Sequence, residues 1–204
     1  DHLSAQAVKA KISGPINGTD IKYLRQLVAA GNLQSIDLSE ATVVSGGDAY
    51  YETYTTSDDD MGAYSFYNHR GLVSLTLPQT ITSIGSNAFA QSGLMSVQIP
   101  DNVVSVELDA FAYCSQLSTV EIGENVKRLS QGVFYNSEVK HVYVKAKTPP
   151  AIGNYLFSSK PIIHVYAEYL AEYEASAWAE YGTLVGDLGD YTSIKNVDAI
   201  SVDI

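Results

Sequence analysis

Leu94-x-x-Val97-x-Ile99-Pro100-x-x-Val103-x-x-Val106, running into Ala110-Phe111, is the stretch that decides how this chain folds. The same text precedes it as Leu72-x-x-Leu75-x-Leu77-Pro78-x-x-Ile81-x-x-Ile84 with Ala88-Phe89. It returns as Leu117-x-x-Val120-x-Ile122-Gly123-x-x-Val126-x-x-Leu129 with Val133-Phe134. The chain's phenylalanines keep the same beat: Phe66, Phe89, Phe111, Phe134 and Phe157 lie 23, 22, 23 and 23 residues apart. A fixed period in the low twenties marks a solenoid, in which each unit buries its apolar face only by stacking on the next.

Outward from that core, further units open at Leu33-x-x-Ile36-x-Leu38, Val139-x-x-Val142-x-Val144 and Ile163-x-Val165. The short strands centre on Ile36, Leu75, Val97, Val120, Val142 and Ile163. Alternation sends each centre and the residue two further on inward, and the residue between them outward. Stacked units then make a parallel sheet with about 4.8 Å between strands. The first unit carries an insertion at about 45–62, ahead of Phe66.

The ends read differently. Residues 1–32 form an N-terminal cap with a helix over 19–31, begun by Thr19 or Asp20 and stopped by Gly31; Ile21, Leu24, Leu27 and Val28 share its apolar face. Residues 33–166 are the solenoid. Ala167–Tyr181 reads as one continuous capping helix within 167–186, stopped by Gly182, and 187–204 as an extended tail or linker, with Ser193–Ile204 a strand or the start of a linker. An array needs covered ends, because its last unit otherwise exposes apolar surface.

Composition narrows the function classes. Apolar residues are 46% of the 204, ample for a core, and the net charge is −11. That balance opposes nucleic-acid backbones and anionic lipid, both of which need clustered Lys and Arg. No stretch reaches the roughly 18 apolar residues of a membrane span. One cysteine, Cys114, excludes an internal disulfide. The chain opens at Asp1 without a signal peptide, as a processed or trimmed segment does.

The repeated segments resemble the BspA-type (Treponema-type) leucine-rich repeat of Bacteroidetes surface proteins, over about Leu33 to Ile163. Ala110-Phe111-x-x-Cys114 matches its Ala-Phe-x-x-Cys segment. Lys147-Thr148-Pro149-Pro150 with Phe157, then Ile163-His164-Val165 and the Tyr-rich helix, is similar to its terminal rung and cap. The chain departs from the pattern at Val106-Glu107-Leu108 and in Ala88-Phe89-Ala90-Gln91-Ser92, which lacks the Cys. The resemblance implies an α/β-type leucine-rich repeat solenoid: a right-handed stack of about six rungs, a parallel β-sheet on the concave face, and helical caps at both ends. It also implies an exported, cell-surface protein with a binding or adhesive role, often lipoprotein-anchored.

Two regions are candidate ligand surfaces. The outward strand positions Asp37, Thr76, Gln98, Glu121, Tyr143 and His164, flanked by Ser74, Ser96, Thr119 and His141, form a polar ladder that either recognises a partner or only keeps the sheet soluble. The insertion brings Tyr50, Tyr51 and Tyr54, with Tyr64 and Tyr67 beyond. Tyrosine supplies rigid contact area and a hydroxyl at low entropic cost, so these residues either bind or seal the core where the rung widens.

Other features point away from chemistry. Asp58-Asp59-Asp60 lacks the alternating ligands of a calcium loop and reads as a solvated turn. Cys114 aligns with Ser92 and Ser137 as a buried structural thiol. His2, His69, His141 and His164 lack metal spacing, although His141 and His164 are expected as neighbours one position out of register. Catalytic residues, metals and cofactors are not expected. The expectation is a monomeric, non-enzymatic extracellular module that recognises a host or bacterial surface protein or glycan. The alternatives are a carbohydrate-binding or weakly hydrolytic component, and a passive spacer.

Overall fold

The structure is a computed structural model that describes residues 8–190. Strand β1 (Lys9–Ile16) leads into helix α1 (Gly18–Ala29), followed by β2 (Ser35–Val43) and the insertion, a hairpin of β3 (Gly46–Tyr51) and β4 (Tyr54–Thr56). The array then alternates two kinds of short strand: β5 (Asp60–Met61), β6 (Ser74–Thr76), β7 (Ser83–Ile84), β8 (Ser96–Ile99), β9 (Ser105–Val106), β10 (Thr119–Ile122), β11 (Arg128–Leu129), β12 (His141–Val144), β13 (Ala151–Ile152) and β14 (Ile162–His164). It closes with α2 (Leu170–Glu174) and β15 (Thr183–Val185).

The leucine-rich repeat solenoid is present, with parallel strands stacked rung on rung. Ile36 pairs with Leu75, and Val97, Val120, Val142 and Ile163 pair in succession. The ladder falls into two pieces, β1-β2-β6 and β15-β14-β12-β10-β8. Between them a bond from Met95 N to Val73 O, 3.2 Å, carries the stacking on. The Ile-x-x-Ile half of each repeat forms a second parallel sheet, β13-β11-β9-β7-β5.

The phenylalanines form the third column. Ring centroids from Phe66 to Phe157 are 6.1, 5.1, 5.6 and 5.3 Å apart, with planes within 17° of parallel. All five rings are buried. Such ring pairs add about 0.5–1.5 kcal/mol each beyond the area they bury. The backbone beside them is bonded across rungs too: the Phe89 and Phe111 amides donate to Ala110 and Val133 carbonyls at 2.8 Å. Each turn around the ring needs left-handed backbone, at Asn87 and Gln91 around Phe89 and at Asp109 and Tyr113 around Phe111.

Both ends differ from simple helical caps. At the N-terminal end β1 extends the sheet beyond β2 in parallel. The cap of α1 is Asn17, not Thr19 or Asp20: its side chain accepts from Thr19 N, while Asp20 accepts from Asn17 N, both at 2.9 Å. This reciprocal pairing satisfies two amides that a helix start otherwise leaves free.

At the C-terminal end the continuous helix expected over Ala167–Tyr181 is broken into a 3-10 turn, α2 and a second 3-10 turn at Ala177–Glu180. Ser176 breaks it, its hydroxyl donating to Tyr173 O at 2.7 Å and accepting from Trp178 N; a serine side chain competes with helical backbone bonds in this way. The break turns Tyr173 and Trp178 inward. The Tyr173 hydroxyl donates to Ala146 O at 2.7 Å and the Trp178 indole to Pro150 O at 2.9 Å. β15 then pairs in parallel with β14. The expected strand or linker over Ser193–Ile204, and His2, lie outside the described residues. No helix of the described residues is long and apolar enough to cross a membrane.

Candidate functional site

The insertion divides its tyrosines between two tasks. Tyr50 is buried, and its hydroxyl donates to Ala63 O at 2.8 Å. It therefore seals the core beside Ala63 and does not face a ligand, correcting its assignment alongside Tyr51 and Tyr54. The Thr56 hydroxyl holds the hairpin base, against Val44 O at 2.7 Å and Gly46 O at 3.0 Å. Asp58 and Asp60 are engaged by protein donors, Ser45 N and the Ser83 hydroxyl, each at 2.6 Å.

Tyr51 and Tyr54 instead meet Tyr64 and Tyr67 in one aromatic cluster. Tyr51 stacks on Tyr64 at 4.9 Å, Tyr54 lies 5.2 Å from Tyr64, and Tyr67 meets Tyr64 edge-on at 5.5 Å. The Arg25 guanidinium sits 5.3 Å over the Tyr51 ring. It is pinned there by donating to Tyr64 O at 2.7 Å and Ser65 O at 2.8 Å. A cleft of about 890 Å³ adjoins, lined by Arg25, Tyr51, Tyr67, His69 and Arg70 among others. Arg25 was not legible as a member, because it comes from α1.

On the ladder, Asp37 pairs with Thr76, and Gln98, Glu121, Tyr143 and His164 pair in line. They do not make one exposed strip. Glu121 is fully buried, ion-paired with Lys145 and accepting from the Gln98 amide at 3.1 Å. The Lys145 stem comes from the rung above and lies over the carboxylate. Burial alone pushes the Lys145 ammonium down, but the hydrogen bond and charge of Glu121, with the charge of Asp101, outweigh it and hold Lys145 above its ordinary value.

At the C-terminal end three ladder rings meet. Tyr143 lies 4.4 Å from His164, and His141 Nδ1 approaches His164 Nε2 at 3.1 Å. The two histidines are offset by two positions, since His141 pairs with Ile162 and His164 with Tyr143. The expected offset of one would put them on opposite faces; two keeps both outward. His164 Nδ1 also lies 2.8 Å from Asp187 Oδ1. Asp187 follows β15, in a segment with no strand signal of its own, so it was missed.

Cys114 is buried, its thiol donating to Phe89 O at 3.2 Å and lying 3.3 Å from the Ser92 hydroxyl. Burial pushes the thiol up, away from the thiolate a nucleophile needs. Ser137, the third member of the column, accepts from Cys114 N and donates to Phe111 O.

A third aromatic group, carrying no weight in the sequence, lies along the phenylalanine edge: Tyr135 meets Tyr113 at 5.8 Å and Tyr155 at 6.1 Å, both edge-on. The one signal for it was their nearness to the repeat phenylalanines.

The repeat profile agrees with this architecture. The BspA type leucine-rich repeat region matches residues 53–164 in six copies. Among solved structures, a leucine-rich repeat protein from Bacteroides ovatus ATCC 8483 aligns at 14% identity and a TM-score of 0.38, over 81% of this chain and 59% of that one. This chain therefore spans less than two thirds of that protein's length. No curated protein gives a significant match. With the repeat profile covering more than half of its length, this chain belongs to the BspA-type leucine-rich repeat family.

Proposed function

We propose that this chain is a non-enzymatic recognition module of an extracellular, surface-held protein, and that it docks a partner protein on the cluster of Tyr51, Tyr54, Tyr64 and Tyr67. The observation that carries this reading is the mutual packing of those rings, with Arg25 over Tyr51. Tyrosine and arginine dominate binding energy at interfaces because they bury much area for few frozen torsions. Mutual packing already holds these side chains, so docking costs little further entropy. The His141, Tyr143 and His164 rings offer a smaller second contact on the ladder. Repeat solenoids present long rigid surfaces suited to this work, and the buried thiol supports a role without chemistry.

The test is binding of the purified chain to arrayed host and bacterial surface proteins. Tyr51→Ala with Tyr64→Ala is expected to weaken a captured partner at least about tenfold while the melting temperature of the array changes little. Unchanged capture by that double variant would remove the cluster from the interface. Loss only on deleting whole rungs would favour a passive spacer.

A further inference from the structure

Nine left-handed non-glycine or glycine positions flank the phenylalanine column, two residues before or after a ring: Tyr64, Asn68, Asn87, Gln91, Asp109, Tyr113, Gly132, Asn136 and Tyr155. Asn, Asp and Gly tolerate positive φ, whereas an aromatic residue there is strained by roughly 1–3 kcal/mol. Gln91, whose amide donates to the Tyr67 hydroxyl, and the three tyrosines are the misfits, and only the tyrosines are aromatic. Tyr64 belongs to the cluster already described. Tyr113 (φ 60) and Tyr155 (φ 59) do not, and they are 50% and 64% exposed, so the core gains nothing from either ring. Strain held at an exposed aromatic asks for a use outside folding.

Those two rings and Tyr135 bound a cleft of about 280 Å³, whose other walls are Asp109, Gln131 and Gly132. The Asp109 carboxylate lies against the Gly132 backbone, where a Cβ would stand 2.1 Å from Oδ1. Any larger residue at 132 would displace it. Half-buried as it is, that carboxylate has no hydrogen-bond partner among the described residues, and neither does the exposed Gln131 amide. Burial pushes the Asp109 carboxyl up, an added cost of leaving it unpaired.

We propose that this cleft binds a neutral pyranose sugar, its C–H face lying on the tyrosine rings and its hydroxyls shared between the Asp109 carboxylate and the Gln131 amide. Such a sugar has one apolar face and a rim of hydroxyl donors, which matches an aromatic wall beside an idle acceptor. The cleft lining holds a carboxylate and no cation, which disfavours phosphate, sulfate and acidic sugars. Its volume lies just below the usual range for small-molecule pockets of about 300–1,000 Å³, so it takes one or two rings rather than a folded partner. The site stands apart from the Tyr51–Tyr64 cluster and does not depend on the protein partner proposed for it.

Saturation-transfer NMR tests this with methyl glucoside, galactoside and mannoside and with their β-linked trisaccharides, each at about 10 mM, ten times a millimolar Kd. Transfer to at least one probe is expected. It should disappear in Tyr113→Ala and in Tyr155→Ala, and fall about tenfold in affinity in Asp109→Asn, which suits the left-handed backbone and keeps the fold. Tyr51→Ala with Tyr64→Ala should leave the signal intact. Silence across all probes, transfer that survives Tyr155→Ala, or transfer that the Tyr51 and Tyr64 substitutions abolish would each overturn the assignment.

Discussion

The Tyr143 phenol stacks on the His164 imidazole, centroids 4.4 Å apart and planes 11° from parallel. Asp187 holds the far side of the same imidazole through Nδ1 at 2.8 Å. With both histidines neutral, the proton of His164 sits on Nδ1 and donates to the carboxylate, leaving Nε2 to accept from His141 Nδ1. Long-range proton–nitrogen NMR should show the Nδ1–H tautomer at both rings, and Asp187→Ala should return His164 to a mixture. A dominant Nε2–H form of His164 in the intact chain would contradict this chain of bonds.

Urea unfolding should rank three positions in a fixed order. Phe111→Ala, in the centre of the ring column, should cost about 3–5 kcal/mol. Thr76→Ala on the ladder should cost under about 0.5 kcal/mol. Tyr155→Asn should stabilise by about 0.5–1 kcal/mol, because it relieves left-handed strain at an exposed site. Equal losses at 111 and 76 would refute the inward and outward assignment.

The pair of Glu121 and Lys145 should behave as a unit. Lys145→Met alone leaves a buried carboxylate without its ammonium and should cost about 3–5 kcal/mol, while Glu121→Met with Lys145→Met should recover most of that loss. Because the folded Lys145 is held above its ordinary 10.5, its contribution is complete below that value and drains away as pH rises through the folded one. An alkaline melting series on the wild type and the double variant should show that limb in the wild type alone.

His69 predicts a separate dependence in acid. Burial pulls its imidazole below the ordinary 6.5, against hydrogen bonds to the Tyr67 and Arg25 carbonyls. The unfolded chain then takes up the proton first, so stability from this group is complete above 6.5 and is lost as pH falls through the folded value. His69→Gln should flatten the fall in melting temperature between about pH 7 and pH 5.

The rung register was legible because it rests on large apolar residues repeated every 22 or 23 positions, which have one way to be buried. β1 was not, since Lys9–Ile16 contains Gly14 and Pro15 and carries no Leu-x-x-Leu-x-Leu; its strand form comes from docking on β2. The second sheet was hidden by size, its strands being two residues long. Alternation named Glu121 as outward but could not show that Lys145 would fold over it. The aromatic clusters join residues such as Arg25 and Tyr51, or Tyr113 and Tyr155, that only stacking brings together.

At the N-terminal end, β1 pairs with β2 alone, so among the described residues its other edge is open. Parallel stacking would otherwise let copies polymerise head to tail into a fibre, since one rung's edge is a template for the next. Lys9 and Lys11 lie exposed on β1, and Pro15 offers no amide to an incoming strand. Charge and a missing donor thus oppose a further strand on this edge of β1, and replacing both lysines and the proline should make chain-to-chain pairing there easier.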